Sequence, residues 1–305
     1  MTLKSRLISK FKRNSNNEFF FLHLGKAAGS TFNKILKKTF KEKYLRIYGN
    51  EIINKGKIVP KGFFNDVKDL NFYLKKNTKM IASHYFRFET IQKKFRVITF
   101  FRDPKSRSIS NFFFQINSWD NIHQGKKKIK DYKGKTFYDY GRFKSYKDYR
   151  NFRTKYSLDT MDNIVYLKAF SKNLKLDEAI NNLDEIFFIG LFEYYDESLL
   201  LLKNKLKKYG INLKIFYTRE NVTIIKDKNL FNSIKLEIDD YKDEFKNDEM
   251  IYNKAKNIFL NQLNNQSFNF KIQLVIFKIL NFNYQVFLKT FAIFKSLIKK
   301  ILGRN

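Results

Sequence analysis

The sequence predicts an α/β fold in which a parallel sheet is flanked by helices. Four near-continuous apolar runs have the length of buried strands, at 19–24, 79–84, 95–102 and 186–192. Stretches with the apolar spacing of helices lie between these runs. The first run is followed at once by a loop of small residues, at 25–31. Strands that alternate with helices are typical of βαβ units, whose parallel strands are covered on both faces.

The elements follow one another in an order that each local sequence supports. The first strand leads to a helix that begins near Ser30 and carries Phe32, Leu36 and Phe40 on one face. The third strand leads to Pro104, which suits the first turn of a helix because no N–H is needed there. The fourth strand precedes a leucine-rich helix, with Leu199, Leu200, Leu202 and Leu206.

The chain divides into three parts. Residues 1–17 form a basic tail that lacks an apolar run long enough for a signal peptide or a membrane span. Residues 18–265 form the main domain, in which 121–155 is a Lys-rich and Tyr-rich insertion interpreted as a lid. Residues 266–305 form a C-terminal extension that is apolar but interrupted by lysines, which favours a pair of amphipathic helices over a transmembrane helix.

Composition excludes several classes of protein. The chain has 305 residues and no Cys, which excludes a disulfide scaffold, a cysteine nucleophile and Cys-ligated metal sites. It has 61 Lys and Arg residues and 29 Asp and Glu residues, which gives a net charge of +32. Such a field attracts polyanions, but spread-out lysines on solvated surfaces are also common in Lys-rich, Asn-rich chains. The charge alone therefore does not identify a partner, and local motifs must do so.

Three reactive groups follow three of the predicted strands. Lys26 comes after the first strand, His84 ends the second and Arg102 ends the third. Ligands of open α/β sheets bind at the carboxyl ends of the strands, so these groups are expected to share one site. His is the side chain best suited to accept a hydroxyl proton near neutral pH, although a His that only caps a strand by hydrogen bonds is the plainer alternative.

The loop GKAAGST, at 25–31, has the chemistry of an anion site. The small residues Ala27, Ala28 and Gly29 allow backbone N–H groups to approach an oxyanion, and the helix that follows adds its positive end. Lys26 adds a mobile charge, and Ser30 and Thr31 add hydroxyl groups. The loop is not a Walker A motif, because Lys26 precedes Gly29.

The segment FFRDPKSRSISNFFF, at 100–114, has a second anion-binding pattern. Arg102 leaves the strand end, and Ser110 lies eight residues further on, about two helical turns away. A guanidinium group and a nearby hydroxyl can bind one phosphate together. The structural alternative is a turn in which Arg102 pairs with Asp103 and Ser110 is merely exposed.

Together the two segments resemble the carbohydrate sulfotransferases that use 3'-phosphoadenosine-5'-phosphosulfate, of the heparan sulfate 2-O-sulfotransferase type and its bacterial relatives. In that family a loop like PKTGGTS binds the 5'-phosphosulfate, and a motif like RDPxxRxxSxYxF binds the 3'-phosphate. Here the chain has GKAAGST and, about seventy residues later, Arg102, Asp103, Pro104, Arg107 and Ser110, with Phe112 and Phe114 in the aromatic positions. The resemblance covers about residues 18–262, including the segments 188–206 and 247–259.

The resemblance implies a P-loop-like sulfotransferase fold and a reaction without a metal ion. A sulfuryl group passes from the nucleotide donor to a hydroxyl of a carbohydrate, which the basic field and the insertion at 121–155 suggest is an anionic glycan. His84 is implied as the base, because a His-containing segment precedes the RDP strand in the family. Lys26 is implied to stabilise charge on the transferring group. Residues implied to bind the donor are Lys26, Ala27, Ala28, Gly29, Ser30, Thr31, Arg102 and Ser110, with Arg219 a weaker candidate that would close over it.

This chain departs from the family pattern at Gly25 and Ala28, which replace a Pro and a Gly; Ala28 disfavours a positive φ. We interpret His23 as structural, and the position of His123 within the insertion indicates no role. Glu193 could orient Lys26 or an acceptor hydroxyl, or simply stand at a helix N-terminus. No group of His and carboxylates has metal-ligand spacing, so no metal is predicted.

Other functions fit parts of the sequence. A nucleic-acid-binding protein would explain the charge and the interleaved aromatics, but not three anion-ready groups at three strand ends, so no nucleic-acid partner is predicted. A kinase would need the Walker A order and an acid for magnesium. A polyanion-binding relative without catalysis would not need His84. We expect a cytoplasmic protein without a membrane anchor, whose C-terminal extension packs on the domain, contacts a second copy or lies on the inner membrane surface.

Overall fold

The computed structural model describes residues 18–48, 64, 73–75, 77–123, 142–155, 164–220, 225 and 227–301. Its centre is one open sheet of five parallel strands in the order β2-β3-β1-β4-β5. The strands are β1 (Phe19–Leu22), β2 (Tyr44–Ile47), β3 (Met80–Ser83), β4 (Arg96–Phe101) and β5 (Phe188–Leu191). The prediction of an α/β fold with a parallel sheet flanked by helices is confirmed.

Ten α-helices are found among the described residues. Their bounds are α1 (Gly29–Phe40), α2 (Phe88–Ile91), α3 (Pro104–His123), α4 (Tyr146–Lys155), α5 (Val165–Phe170), α6 (Leu176–Asp184), α7 (Tyr195–Lys207), α8 (Lys228–Glu237), α9 (Lys242–Asn264) and α10 (Phe268–Ile301). Short 3-10 turns follow α1, at Lys41–Lys43, and α8, at Ile238–Tyr241.

The register brings the carboxyl ends of three strands to one edge of the sheet, where β4 extends two residues beyond β1 and β3. In the register of β1, Leu22 lies beside Ser83 of β3 and Thr99 of β4. All four residues of β1 are buried, as expected for a central strand covered on both faces. The loops that leave β1, β3 and β4 therefore meet at the carboxyl edge of the sheet, where the candidate groups lie.

Strand β2 is the one strand of the sheet that the apolar runs did not predict. Its sequence, YLRI, is short, and only Ile47 of its four residues is buried. It lies at the edge of the sheet and pairs with β3 alone. An edge strand of this kind lacks the continuous apolar run that marks a buried strand, because much of it faces solvent.

A second apolar cluster lies away from the sheet, between α3, α4 and α9. Phe112 and Phe113 of α3 pack there with Phe143, Tyr146 and Tyr149, which are all buried. These last three aromatics belong to the stretch interpreted from the sequence as a lid, but their side chains fill a core. The rest of the basic stretch, 124–141, lies outside the described residues, as does the basic tail at 1–17.

Helix α9 contacts α5 and α3 through one buried carboxylate, that of Asp248. Asp248 is fully buried and accepts hydrogen bonds from the backbone N–H groups of Tyr166 and Leu167, each at 3.0 Å. These N–H groups open α5 and have no partner within their own helix. Burial raises the pKa of Asp248 to about 7, and the charge of nearby Arg107 opposes that rise. Asp248 thus links α9 to α5 and to the Arg107 side chain of α3.

The C-terminal extension is one continuous helix, α10, rather than the predicted pair. No Gly or Pro interrupts residues 268–301, so nothing in the local sequence ends the helix. Its first half packs on α7 and buries Phe270, Phe277 and Asn281. Among the described residues, no helix combines the length and the apolar character needed to cross a membrane.

Candidate anion site at the carboxyl edge of the sheet

The loop between β1 and α1 turns sharply by using two left-handed residues. Lys26 and Ala28 both have φ of 64°, and Ala28 directly precedes the first residue of α1. The Ala27 N–H donates a hydrogen bond to the Leu24 carbonyl, at 3.4 Å, which closes the turn. The conformation explains why the loop is built from small residues, although Ala28 carries a Cβ that disfavours this backbone region.

Gly29 is required by its contact with a histidine ring. A Cβ at this position would lie 1.7 Å from the Nε2 atom of His23, which is too close for any side chain. The His23 ring therefore packs directly on the first turn of α1. Burial, with the charges of His84 and Lys26, holds the pKa of His23 well below its usual value. A neutral, buried His23 agrees with the structural role inferred from the sequence.

Replacing Ala28 with Gly should raise the free energy of unfolding by about 0.5–1 kcal/mol, because Gly adopts a positive φ without steric cost. Ala27→Gly is the matched control. Ala27 is buried, whereas Ala28 is half-buried, and Ala27 does not have a positive φ, so this change should destabilise the chain by about 1 kcal/mol. Urea unfolding of both variants measures the difference. A loss of stability in Ala28→Gly as large as in Ala27→Gly would contradict the strained loop.

Two cations lie beside each other here, Lys26 of this loop and Arg102 of the turn between β4 and α3. The Arg102 Nη1 donates to the Lys26 carbonyl oxygen at 3.3 Å, and the Arg102 guanidinium lies 4.1 Å from the centre of the Phe192 ring. The Lys26 Nζ lies 4.1 Å from the centre of the Phe114 ring. Within the part of the chain that the structure describes, no carboxylate forms an ion pair with either cation. Both cations contact the faces of aromatic rings and not carboxylates, so their positive charges remain available to an anion.

The electrostatics of the pair favour an added negative charge. Burial, together with the smaller effect of the positive charge of Arg102, lowers the pKa of Lys26 to about 8. Burial also lowers the pKa of Arg102, with Glu193 opposing. The Nε atom of Arg102 is buried and has no hydrogen-bond acceptor among the described residues. An anion placed between the two cations would relieve their mutual repulsion and supply this missing acceptor.

His84 lies on the other side of the loop with a defined tautomer. Its Nδ1 atom is 3.1 Å from the His23 carbonyl oxygen, an acceptor, so Nδ1 carries the proton and Nε2 keeps a lone pair. The ring stacks on His23 with centroids 4.3 Å apart, and the Tyr48 ring meets it edge-on at 4.2 Å. Burial lowers the pKa of His84 to about 4, so the ring is neutral at neutral pH. A neutral imidazole with a free lone pair can accept a proton.

The backbone of the Arg102 turn is held from both sides by residues far away in sequence. The Tyr166 hydroxyl accepts from the Arg102 N–H at 3.1 Å and donates to the Arg102 carbonyl oxygen. Glu193 accepts from the Asp103 N–H at 2.8 Å, so it orients this turn rather than Lys26. Asp103 in turn accepts from the Ser106 N–H at 2.7 Å and caps α3. Asp103 thus acts as a helix cap in the structure.

The remaining candidate residues differ in how they are placed relative to Lys26 and Arg102. Ser110 is half-buried and lies one turn before Phe114, on the side of α3 that Lys26 reaches. The hydroxyl of Thr31 accepts from the Glu220 N–H at 3.0 Å, which joins the segment at 219–220 to α1. Arg219 itself is exposed and its side chain hydrogen-bonds the Tyr217 hydroxyl. The side chain of His123 lies outside the described residues.

Sequence reasoning missed Tyr166 and Phe192. Tyr166 comes from a helix more than sixty residues after Arg102, and nothing in its local sequence indicates the contact. Phe192 follows β5 directly, so its position at the carboxyl edge was available as a signal. Among the described residues, no group of three or more His, Asp or Glu side chains is close enough to hold a metal ion.

Comparisons with known proteins find no match, neither to a protein-family model nor to a curated protein. Inference about function therefore depends on the residues of this site.

Proposed function

We propose that the chain transfers a sulfuryl group from 3'-phosphoadenosine-5'-phosphosulfate to a hydroxyl group of a carbohydrate. One observation carries the proposal: two cations without carboxylate partners among the described residues and one neutral, oriented histidine surround the loop after β1. An anionic donor needs the cations, and a hydroxyl acceptor needs a base. Phosphate transfer to water or to a nucleotide would call for magnesium ligands, which the sequence pattern does not supply.

The donor is expected to bind along the loop and the start of α1. The backbone N–H groups of Gly29, Ser30 and Thr31 open this helix and, together with Lys26, suit the 5'-phosphosulfate. Arg102, with its unsatisfied Nε, suits the 3'-phosphate, and Ser110 would add a hydroxyl donor. A site of this kind selects the 3'-phosphorylated donor over ordinary nucleotides.

The chemistry assigns one role to each side chain. The Nε2 of His84 removes the proton of the acceptor hydroxyl as its oxygen forms a bond to sulfur, and the bond between sulfur and the 5'-phosphate oxygen breaks. The products are the sulfate ester and 3'-phosphoadenosine 5'-phosphate. Lys26 stabilises the negative charge that grows on the leaving phosphate oxygen. Positioning and charge stabilisation supply most of the acceleration, as in phosphoryl transfer.

The acceptor is proposed to be an anionic glycan. The net charge of +32 attracts a polyanion over long distances. The Lys-rich and Tyr-rich stretch that suggested an acceptor lid lies mostly outside the described residues. Arg219, near the start of α1 through the contact of Glu220 with Thr31, remains the weaker candidate for closing over the donor.

Isothermal titration with 3'-phosphoadenosine 5'-phosphate tests the proposal. The wild-type chain should bind this product, and Arg102→Ala should weaken binding by about 10- to 100-fold, because charge-assisted hydrogen bonds to a phosphate are lost. Arg142→Ala is the matched control, since it removes the same charge from an ion pair with Asp120 at 3.0 Å. This control should change the Kd by less than about threefold. Absence of binding in the wild type would refute the proposal.

The same titration should depend on pH through Lys26. The free group has a pKa of about 8, and a bound anion raises it, so binding takes up a proton above that pH. Affinity should therefore fall as the pH rises from about 7 to about 9.5. Lys26→Arg keeps its charge over this range and should largely remove the dependence. An equal dependence in both chains would show that Lys26 does not contact the anion.

A further inference from the structure

Helix α10 presents a large apolar face to solvent, on the side opposite its contact with the domain. Phe270, Phe277 and Asn281 are buried against the domain, and Leu274 and Tyr284 lie on the same side. The opposite side is apolar and exposed; for example, Ile279 is 57% and Phe287 is 64% exposed. Its other exposed members are Phe268, Ile272, Val275, Ile276, Leu280, Phe282, Val286, Phe291 and Phe294.

The apolar face spans most of a long helix and continues where the helix leaves the domain. At about 1.5 Å per residue, the 34 residues of α10 extend over roughly 50 Å. Val286, Phe287, Phe291 and Phe294 lie beyond Tyr284, whose hydroxyl and ring contact Lys38 and Phe216 of the domain. A single exposed leucine is ordinary, but a helix face of this length on which exposed apolar residues outnumber the polar Asn269, Asn283 and Thr290 indicates an interaction surface.

Lysines border this face along one side. Lys271 and Lys289 are exposed, and their spacing of 18 residues, five full turns, places them in one line along the helix. Lys278 lies on the same line, but its ammonium pairs with Glu197 of α7 at 2.7 Å. Residues 268–305 contain seven basic residues and no acidic residue. An apolar face bordered by lysines is the pattern of a helix that lies in the plane of a membrane interface, with the ammonium groups among the lipid head groups.

The net charge of the chain favours a membrane over a second copy of the chain as the partner of this face. Two copies that meet through α10 would bring together two chains of +32 and two helices without an acidic side chain, so repulsion would oppose the contact. An anionic bilayer offers the complementary charge, and each Lys near its surface contributes about 1 kcal/mol of attraction.

We propose that the outward face of α10 binds the surface of an anionic lipid bilayer, with the helix parallel to the surface and its exposed aromatic and aliphatic side chains inserted below the head groups. The inference does not rest on the proposed enzymatic activity. It implies that the chain works at a membrane surface, where a lipid-linked or surface-bound acceptor would be concentrated.

Sedimentation of the full chain with vesicles tests this inference. The wild type should bind vesicles of equal parts phosphatidylcholine and phosphatidylglycerol, and bind phosphatidylcholine alone far more weakly. The double variant Ile279→Asp, Phe287→Asp should bind the anionic vesicles about tenfold more weakly or worse. Both positions are exposed, so thermal unfolding of this variant should match that of the wild type.

The control is a second double variant, Leu236→Asp, Met250→Asp, which adds the same two negative charges at exposed apolar positions of α8 and α9. This control should retain nearly all vesicle binding. An equal loss in the two double variants would show that net charge alone drives binding, and would refute docking through α10. Light scattering that showed a wild-type dimer and a monomeric Ile279→Asp, Phe287→Asp variant would overturn the proposal in favour of a second copy.

Discussion

The variant His84→Asn is expected to lower turnover by about 10²- to 10⁴-fold, the usual contribution of a general base. The Asn amide places an N–H donor near the position of Nδ1, so the hydrogen bond to the His23 carbonyl oxygen is retained. The lone pair at Nε2 is lost. Transfer of radiolabelled sulfate from the donor to a panel of glycans measures turnover, and isothermal titration measures product binding, which should change little.

The pH profile separates a base from a merely structural histidine. A base must be neutral, and the pKa of free His84 is about 4, so kcat/KM should stay level on acidification through pH 6.5 and fall only near that lower value. The negative charge of bound donor raises this pKa, so the acid limb of kcat should lie at a higher pH than that of kcat/KM. Full turnover in His84→Asn would mean that another group accepts the proton.

The variant Asp248→Ala is expected to lower the free energy of unfolding by about 3–5 kcal/mol. Asp248 is fully buried, and its loss leaves the N–H groups of Tyr166 and Leu167 without this acceptor and removes a negative charge that lies near Arg107. Denaturation by urea measures the change. Asp243→Ala is the control, since Asp243 is exposed in the first turn of the same helix, and it should cost no more than about 1 kcal/mol.

The Asp248→Asn variant adds a test with a defined sign. The folded-state pKa of Asp248, about 7, lies above the value of an unfolded chain, so the folded chain binds more protons between about pH 4 and pH 7. The stability that this gives the wild type is fully present below pH 4 and is lost as the pH rises through 7. The free energy of unfolding of the wild type minus that of Asp248→Asn should therefore be lower at pH 8 than at pH 5. A constant difference would show that Asp248 does not titrate in this range.

Asp248 also connects stability with the candidate site. Through α5 it holds Tyr166, whose hydroxyl binds the N–H and carbonyl groups of Arg102. A chain that loses this carboxylate should bind 3'-phosphoadenosine 5'-phosphate more weakly even where it remains folded, because the Arg102 turn is less well held. The aromatic and acidic residues that position Arg102 lie in α5, in α9 and directly after β5, and none of them lies near it in sequence.

The central elements could be predicted because their signals are local. Phe19–Leu22 is a continuous apolar run and Arg96–Phe101 is a near-continuous one, as expected for strands covered on both faces. Pro104 marks the start of α3 for an equally local reason. Strand β2 was not predicted, because an edge strand has no continuous apolar run. The prediction of two helices in the C-terminal extension was wrong, because charged residues do not end a helix when no Gly or Pro is present.

The sequence alone places Lys26, His84 and Arg102 after three buried strands. Because the carboxyl ends of parallel strands lie at one edge of a sheet, the sequence also predicts that the three groups lie at that edge. Tertiary packing decides what the three groups can do. It sets Lys26 and Arg102 over aromatic rings, points Nδ1 of His84 at the His23 carbonyl oxygen, and lowers the pKa of His84 by burial. Packing of one side of α10 on the domain likewise decides which apolar side faces solvent. Burial and contacts between distant segments have no local signal, because they depend on which segments meet when the chain folds.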